Sequence, residues 1–257
     1  MNLKNKVAVI TGSSSGVGAA LATKLASEGA SVVINYNQSE EGAIRTRDNI
    51  VATGGQAVIV QGDVSEEADC ERIAETAIGS FGRLDILVNN AGCTTFVPHD
   101  NLQDLTSAIW ERTLRVNLMG AFFMSRAAMP HLQKAGGGEI VMTSSIASMT
   151  ANGSSIAYCA SKAGMNSLTR TLAKTLGKKK IRVNAVLPGL IDGDWAFDTW
   201  GDGDDARYEA LKTQFSEMTP LGHVVEPADV ADVILSIITG SDYVTGQLVT
   251  IDGGFTL

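Results

Sequence analysis

Proline is scarce in this chain of 257 residues, with five against 27 glycines. That balance gives many tight turns and little disorder. Positive charge is also short. Twenty Lys and Arg face 28 Asp and Glu, for a net charge of −8. This argues against a binder of nucleic-acid backbones, which needs a basic surface. No run of about 18 apolar residues occurs, so no transmembrane helix is expected. Residues 1–6 pass straight into an apolar strand without the apolar core of a signal peptide. A soluble, cytoplasmic protein is therefore expected. Cysteine is limited to Cys70, Cys93 and Cys159, odd in number and without metal-ligand spacing. They read as reduced thiols. His99, His131 and His223 are scattered, so no metal site is expected.

What is present suits one large α/β domain: 44% apolar and 19% charged residues supply a sizeable core. Short Val- and Ile-rich runs at 7–10, 31–34, 57–60, 86–88, 139–142, 182–187 and 247–251 predict about seven strands buried on both faces. Helices are predicted between them at 17–28, 40–53, 66–80, 102–129, 157–176 and 227–238. The third opens after Ser65 with Glu66 and Glu67, which suits a cap and the helix dipole. Alternation of this kind builds right-handed βαβ units, hence a Rossmann-type doubly wound parallel sheet. No linker, repeat or low-complexity tract divides residues 1–257. The least regular stretch, 189–218, mixes Asp192, Asp194, Asp198, Asp202, Asp204 and Asp205 with Trp195, Phe197 and Trp200. It reads as a lid over a substrate pocket, with a solvated acidic loop as the alternative.

Two clusters carry chemistry. The first strand ends in Thr11-Gly12-Ser13-Ser14-Ser15-Gly16-Val17-Gly18, followed by a helix. Gly12 permits a tight turn, Gly16 lets the backbone approach a pyrophosphate, and Gly18 lets the helix pack on the strand. The helix N-terminus offers free N–H groups to phosphates. After the second strand, Asn35-Tyr36-Asn37-Gln38-Ser39 holds no acid to repel a 2′-phosphate, so NADP(H) is favoured over NAD(H). The same asparagines are also ordinary turn formers. The second cluster is Tyr158 and Lys162, spaced i, i+4 on one helix face. A phenol titrates near ~10, and an adjacent ammonium is expected to lower that by ~1–3 units.

With these pieces placed, the chain resembles the compact short-chain dehydrogenase/reductase family over essentially its whole length. Thr11–Gly18 resembles that family's glycine motif, and Asn89-Asn90-Ala91-Gly92 its N-N-A-G. Tyr158-Cys159-Ala160-Ser161-Lys162 matches its Y-x-x-x-K. Ser145 lies 13 residues before Tyr158, at the family's serine spacing. Asn117 matches the asparagine of its longest helix, and Pro188-Gly189 follows the sixth strand. Gly62-Asp63-Val64 resembles the adenine-contacting segment. Thr245-Gly246-Gln247 and Asp252-Gly253-Gly254 fit the last strand and its subunit contacts. One departure is the lack of a threonine between Gly189 and Thr199 to hold the nicotinamide carboxamide, which leaves the Ile191 backbone for that task.

The resemblance implies hydride transfer between a nicotinamide ring, NADP(H) being favoured from the segment after the second strand, and a small carbonyl or secondary-alcohol substrate, in a homotetramer. It assigns Tyr158 as proton donor or acceptor and Lys162 as phenolate stabiliser and ribose ligand. Ser145 becomes a donor to the substrate oxygen and Asn117 the holder of a relay water. The implied cofactor contacts are Gly12, Ser14, Ser15, Gly16, Val17, Gly18, Asn35, Tyr36, Asn37, Asp63, Val64, Asn90, Ala91, Gly92, Tyr158, Lys162, Pro188, Gly189 and Ile191. Phe96 and His99, after the fourth strand, are candidates to touch substrate. Two other readings stay open. One is a 3-oxoacyl carrier-protein reductase docking its carrier on Arg170, Lys174, Lys178, Lys179, Lys180 and Arg182. The other is an inactive dinucleotide sensor. An enoyl reductase is disfavoured, because related enoyl reductases space Tyr and Lys more widely.

Overall fold

A computed structural model describes residues 1–150 and 152–257. β1 (Val7–Ile10) leads into α1 (Gly16–Ser27), and the alternation continues through β2 (Ser31–Tyr36), α2 (Glu40–Ala52), β3 (Gln56–Gln61), α3 (Glu67–Phe81) and β4 (Ile86–Asn89). There follow α4 (Ser107–Leu114), a π-helical turn (Arg115–Gly120), α5 (Ala121–Lys134), β5 (Gly138–Thr143), α6 (Ile156–Leu176) and β6 (Ile181–Pro188). α7 (Asp194–Ala196), α8 (Asp205–Met218) and α9 (Pro227–Thr239) precede β7 (Leu248–Ile251).

The seven strands lie in the order β3-β2-β1-β4-β5-β6-β7, and each pairing is parallel. Chain direction across the sheet reverses between β1 and β4, the switch point where open α/β sheets bind ligands at their carboxyl edge. Alternate strand residues feed two cores. Val7, Val9, Val33, Leu87 and Ile140 pack with Ile73, Met124 and Met165 of α3, α5 and α6. Ala8, Ile10, Val32, Ile34 and Val88 pack with Leu21, Leu25, Ile50 and Ile234 of α1, α2 and α9. Leu21 and Leu25 are wholly buried, so truncating either to Ala costs about 2–5 kcal/mol.

Three expectations need correction. The helix predicted over 102–129 starts at Ser107, where the Thr106 hydroxyl accepts from Ile109 N as its cap. It then passes through the π-helical turn and on to Lys134. Pro130 does not end it: the residue is exposed, so the carbonyl it leaves unbonded faces water, while Ala128 and Leu132 keep the buried face continuous. The third helix is preceded by Glu66, with no side-chain cap. Ser65 instead donates its hydroxyl to Asp63 at 2.7 Å. Finally, 189–218 is mostly helical. Asp204 caps α8 by accepting from Ala206 N and Arg207 N at 2.9 and 3.2 Å, and Asp205 sits in its first turn. Asp204 and Asp205, which looked like loop residues, start a helix.

Candidate active site

The turn between β1 and α1 forms a cradle at the carboxyl edge of the sheet. Gly12 adopts φ +60°, and a Cβ there would lie 2.9 Å from Ala91 Cα. A Cβ on Gly18 would lie 2.5 Å from Gly12 O and 2.7 Å from Ser13 Cα, so only glycine lets α1 pack this close. Ser15 precedes α1 with no side-chain cap, and the first N–H groups of the helix have no acceptor within it. Struts fix the cradle. Asn90 Nδ2 donates to Thr11 O and Gly12 O, both at 3.0 Å. Asn35 Oδ1 accepts from Gly12 N at 3.1 Å, while its Nδ2 donates to Gly62 O at 3.0 Å.

Across the switch point stand the hydroxyl, phenol and amine. Ser145 ends the segment after β5 and its Oγ accepts from Ala147 N at 3.1 Å. That occupies a lone pair and leaves its proton free to point elsewhere. Ser155 caps α6 by accepting from Tyr158 N at 3.2 Å, which fixes the first turn, where Tyr158 sits. Lys162 follows one turn later, its Nζ 5.6 Å from the Tyr158 ring centroid and donating to Thr143 O at 2.7 Å. Ser144 Oγ reaches Asn166 Oδ1 at 2.8 Å, and Asn166 Nδ2 donates to Ser148 Oγ at 2.7 Å. These two bonds tie α6 to the end of β5. One cavity of about 940 Å³ joins the cradle, Ser145, Tyr158, Lys162 and the segment carrying Trp195 and Trp200.

Asn117 lies in the π-helical turn, wholly buried. Its Oδ1 accepts from Cys93 N at 2.8 Å, and its Nδ2 donates to Cys93 O at 2.9 Å and Ser161 Oγ at 3.0 Å. It does not line the cavity, but Oδ1 and Lys162 Nζ flank Gly92, 3.4 and 3.7 Å from where its Cβ would be.

Comparison with known proteins decides the family. The profile described as enoyl-(acyl carrier protein) reductase matches residues 12–256. The chain is 42% identical over 248 residues to a Streptomyces violaceoruber protein named as ketoacyl reductase 2 of the granaticin polyketide synthase, covering 96% of this chain and 95% of that one. It is 34% identical to a hydroxynaphthalene reductase-like protein of Metarhizium guizhouense, over 98% and 96% of the two chains. Among solved structures, a short-chain dehydrogenase/reductase from Burkholderia xenovorans superposes with TM-score 0.89 at 34% identity, over 97% of each chain. Levodione reductase superposes with TM-score 0.91 at 29% identity, over 98% of this chain and 97% of that one. The chain belongs to the short-chain dehydrogenase/reductase family. It is accordingly an NAD(P)-dependent oxidoreductase of CH–OH and carbonyl groups.

The residues of this dehydrogenase/reductase fit a dinucleotide. The glycine-walled cradle, the uncapped start of α1 and the open switch point are what a pyrophosphate requires. Of the expected contacts, Gly12, Ser14, Ser15, Gly16, Val17, Asn35, Asn37, Asp63, Val64, Asn90, Ala91, Gly92, Tyr158, Lys162, Pro188, Gly189 and Ile191 line the cavity. Gly18 does not, because it lies on the face of α1 packed against Gly12, Ser13 and Asn90. Tyr36 is also outside the lining and buried. The Asn35 and Asn90 amides are committed to struts. Asn37 Nδ2 donates to Asp63 Oδ2 at 3.2 Å, so it too is partly engaged. Ile191 forms a bridge with Val225 through Leu190 O and Asp192 N, which leaves the N–H and C=O of Ile191 outside it.

Electrostatics in the dehydrogenase/reductase also differ from expectation. Burial pushes the Tyr158 phenol up to about 12, with the Ser145 hydroxyl pulling the other way. Burial lowers the Lys162 ammonium to about 8. The depression expected from the Lys162 ammonium is not seen: burial dominates, and the Cys159 and Cys93 thiols add to the rise.

Sequence reasoning missed Arg112. It donates to Asp63 Oδ2 and Ser65 Oγ at 3.1 Å and lines the cavity beside the adenine-type segment. Nothing in its spacing announces that. Trp195 was placed in the lid but not over Tyr158, where its ring centroid lies 6.0 Å from the phenol's. Phe96 and His99 both line the cavity.

Proposed function

We propose that this protein interconverts a ketone and a secondary alcohol with NADP(H) preferred over NAD(H). The observation that carries the reading is the convergence of Ser145, Tyr158 and Lys162 on one cavity with the glycine cradle. When bound, the cofactor supplies or accepts a hydride. In reduction, as the carbonyl carbon gains that hydride and the C=O π bond opens, Tyr158 transfers its phenolic proton to the oxygen. Ser145 holds that oxygen with its free hydroxyl proton. Lys162 uses one of its three N–H donors on Thr143 O, leaving two for ribose hydroxyls, and its charge stabilises the phenolate left behind. Asn117 acts as a positioning residue. A water over Gly92, between Asn117 Oδ1 and Lys162, relays the replacement proton.

Preference for NADP(H) rests on Asn37, Gln38 and Ser39, neutral groups that line the cavity after β2. The lid role of 189–218 rests on Trp195 and Trp200 in the cavity wall. A homotetramer in a reducing cytoplasm completes the reading, supported by the habit of the family and the unpaired thiols of Cys70, Cys93 and Cys159. Among the described residues, no helix is long and apolar enough to cross a membrane.

A carrier-bound acyl substrate is the weaker reading. Lys178, Lys179 and Lys180 follow α6, whose 21 residues lead about 30 Å away from the Tyr158 end. Arg182 is turned inward, 2.8 Å from the buried Glu139. A carrier seated on these bases would sit on the far edge of the sheet.

Fluorescence titration with NADPH and NADH, then turnover of a ketone panel, tests the proposal. NADPH should bind more tightly. Tyr158→Phe should keep cofactor affinity and lose at least about a hundredfold in turnover. Near-normal turnover by that variant would discard the mechanism, and equal or tighter binding of NADH would discard the cofactor preference.

A further inference from the structure

We infer that the substrate end of this cavity takes an uncharged, flat aromatic ketone, free in solution, with its ring against Trp195. The inference rests on the ketone-reducing reading above and specifies its substrate class.

Trp195 stands beside the proton donor, its ring centroid 6.0 Å from that of Tyr158 at an interplanar angle of 42°. Trp200 supports it edge-on at 5.6 Å. Yet Trp195 is 44% exposed, and Phe96, also in the cavity wall, is 42% exposed. Two large aromatic surfaces are thus left open to water in the cavity that holds the reacting groups. Such surfaces mark a binding site for an apolar partner. Phe215 and Phe255, stacked at 5.3 Å, extend the same wall. A ring lying on the indole gains stacking as well as burial.

Charge narrows the class. The Arg and Lys side chains lining the cavity are Arg112 and Lys162. Arg112 is held on Asp63 and Ser65, and Lys162 donates to Thr143 O with its Nζ 5.6 Å from the Tyr158 ring centroid. Among the described residues, no guanidinium or ammonium of the cavity wall is left to pair with a carboxylate or phosphate on the substrate. Asp192 is already neutralised, with Lys212 Nζ at 3.0 Å and the Tyr208 hydroxyl at 2.9 Å, so it does not call for a cationic substrate. The lid, 189–218, holds eight Asp and Glu against two Lys and Arg, a net of −6 within a chain of net −8. Asp194, Asp198, Asp202, Asp204 and Asp205 are exposed on it. An anionic substrate or an acidic carrier protein meets like charge at the entrance.

Binding calorimetry on the whole protein with 1-tetralone, cyclohexanone and 4-acetylbenzoate tests this without relying on turnover. 1-Tetralone should bind about tenfold more tightly than cyclohexanone and at least about tenfold more tightly than the carboxylate. Trp195→Leu should erase the preference over cyclohexanone, and Trp195→Phe should keep most of it. Equal affinity for the two neutral ketones, comparable affinity for the carboxylate, or full discrimination by Trp195→Leu would overturn the inference. Selective binding of 1-tetralone without reduction would uphold the substrate class while overturning the proposed reaction.

Discussion

Asn117 clasps Cys93 at both ends of its backbone. The side-chain oxygen accepts from Cys93 N at 2.8 Å and the amide nitrogen donates to Cys93 O at 2.9 Å. The loop after β4 is thereby stitched to the π-helical turn at the level of Lys162. Asn117→Ala leaves both backbone groups and Ser161 without that partner, which should cost about 2–3 kcal/mol and lower turnover at least about tenfold. Urea unfolding and kcat measured on one preparation check this. Unchanged stability would show that the clasp is dispensable.

How much of this was legible in the sequence depends on the range over which each feature is determined. Strand and helix alternation is local and strongly periodic, so all seven strands were found. The glycines at Gly12 and Gly18 were legible because their spacing encodes a turn and a close approach. The π-helical turn around Asn117 was not, because one extra residue per turn leaves apolar periodicity almost unchanged. The order within 189–218 was hidden because Asp204 and Asp205 are as common in loops as at helix starts. The raised Tyr158 phenol was missed because desolvation depends on what the fold places around it, which i, i+4 spacing cannot report.

The phenol and amine set the pH behaviour. With Tyr158 near 12 and Lys162 near 8, the pair as a unit first loses a proton near pH 8. Reduction needs the fully protonated pair, so its rate should hold below about pH 8 and fall above it. Oxidation needs a site able to accept a proton, so it should rise through the same region. Rate profiles in both directions test this. A reduction rate constant from about pH 6 to about pH 9.5 would discard the linkage.

Space under α1 makes a sharp comparison of two glycines. At Gly18 a methyl group would lie 2.5 Å from Gly12 O, a backbone atom that cannot move without opening the cradle. Gly18→Ala should cost about 1–3 kcal/mol and weaken NADPH binding at least about tenfold. Gly79, exposed in α3, has nothing within 4 Å of an added Cβ. Gly79→Ala should raise stability by about 0.5–1 kcal/mol through helix propensity alone and leave NADPH binding unchanged. Thermal unfolding with and without NADPH separates the two. Equal effects would mean that close packing at Gly18 does not shape the cofactor site.

Glu139 lies wholly buried at the start of β5, at the opposite edge of the sheet from the cavity. Asn184 donates to its Oε1 at 3.0 Å. Arg182 Nη2 is 2.8 Å from Oε2, but that oxygen has no aligned donor, because the same nitrogen donates to Ile237 O and Ile238 O. Burial therefore wins, raising the carboxyl from 4.5 to about 7 against the pull of Arg182, Asn184 and the chain amino group, with Asp242 adding to the rise. Between those values the native protein keeps a proton that the unfolded chain has released, so stability is full below about 4.5 and falls as pH rises to about 7. The loss is about 3 kcal/mol at ~1.4 kcal/mol per unit. Glu139→Gln cannot titrate. Relative to that variant, the native chain should lose about 2–3 kcal/mol between pH 4.5 and pH 8, read from urea unfolding at both. Parallel pH dependence in the two proteins would mean that Glu139 is ionised throughout and that the Arg182 pairing, not burial, sets its charge.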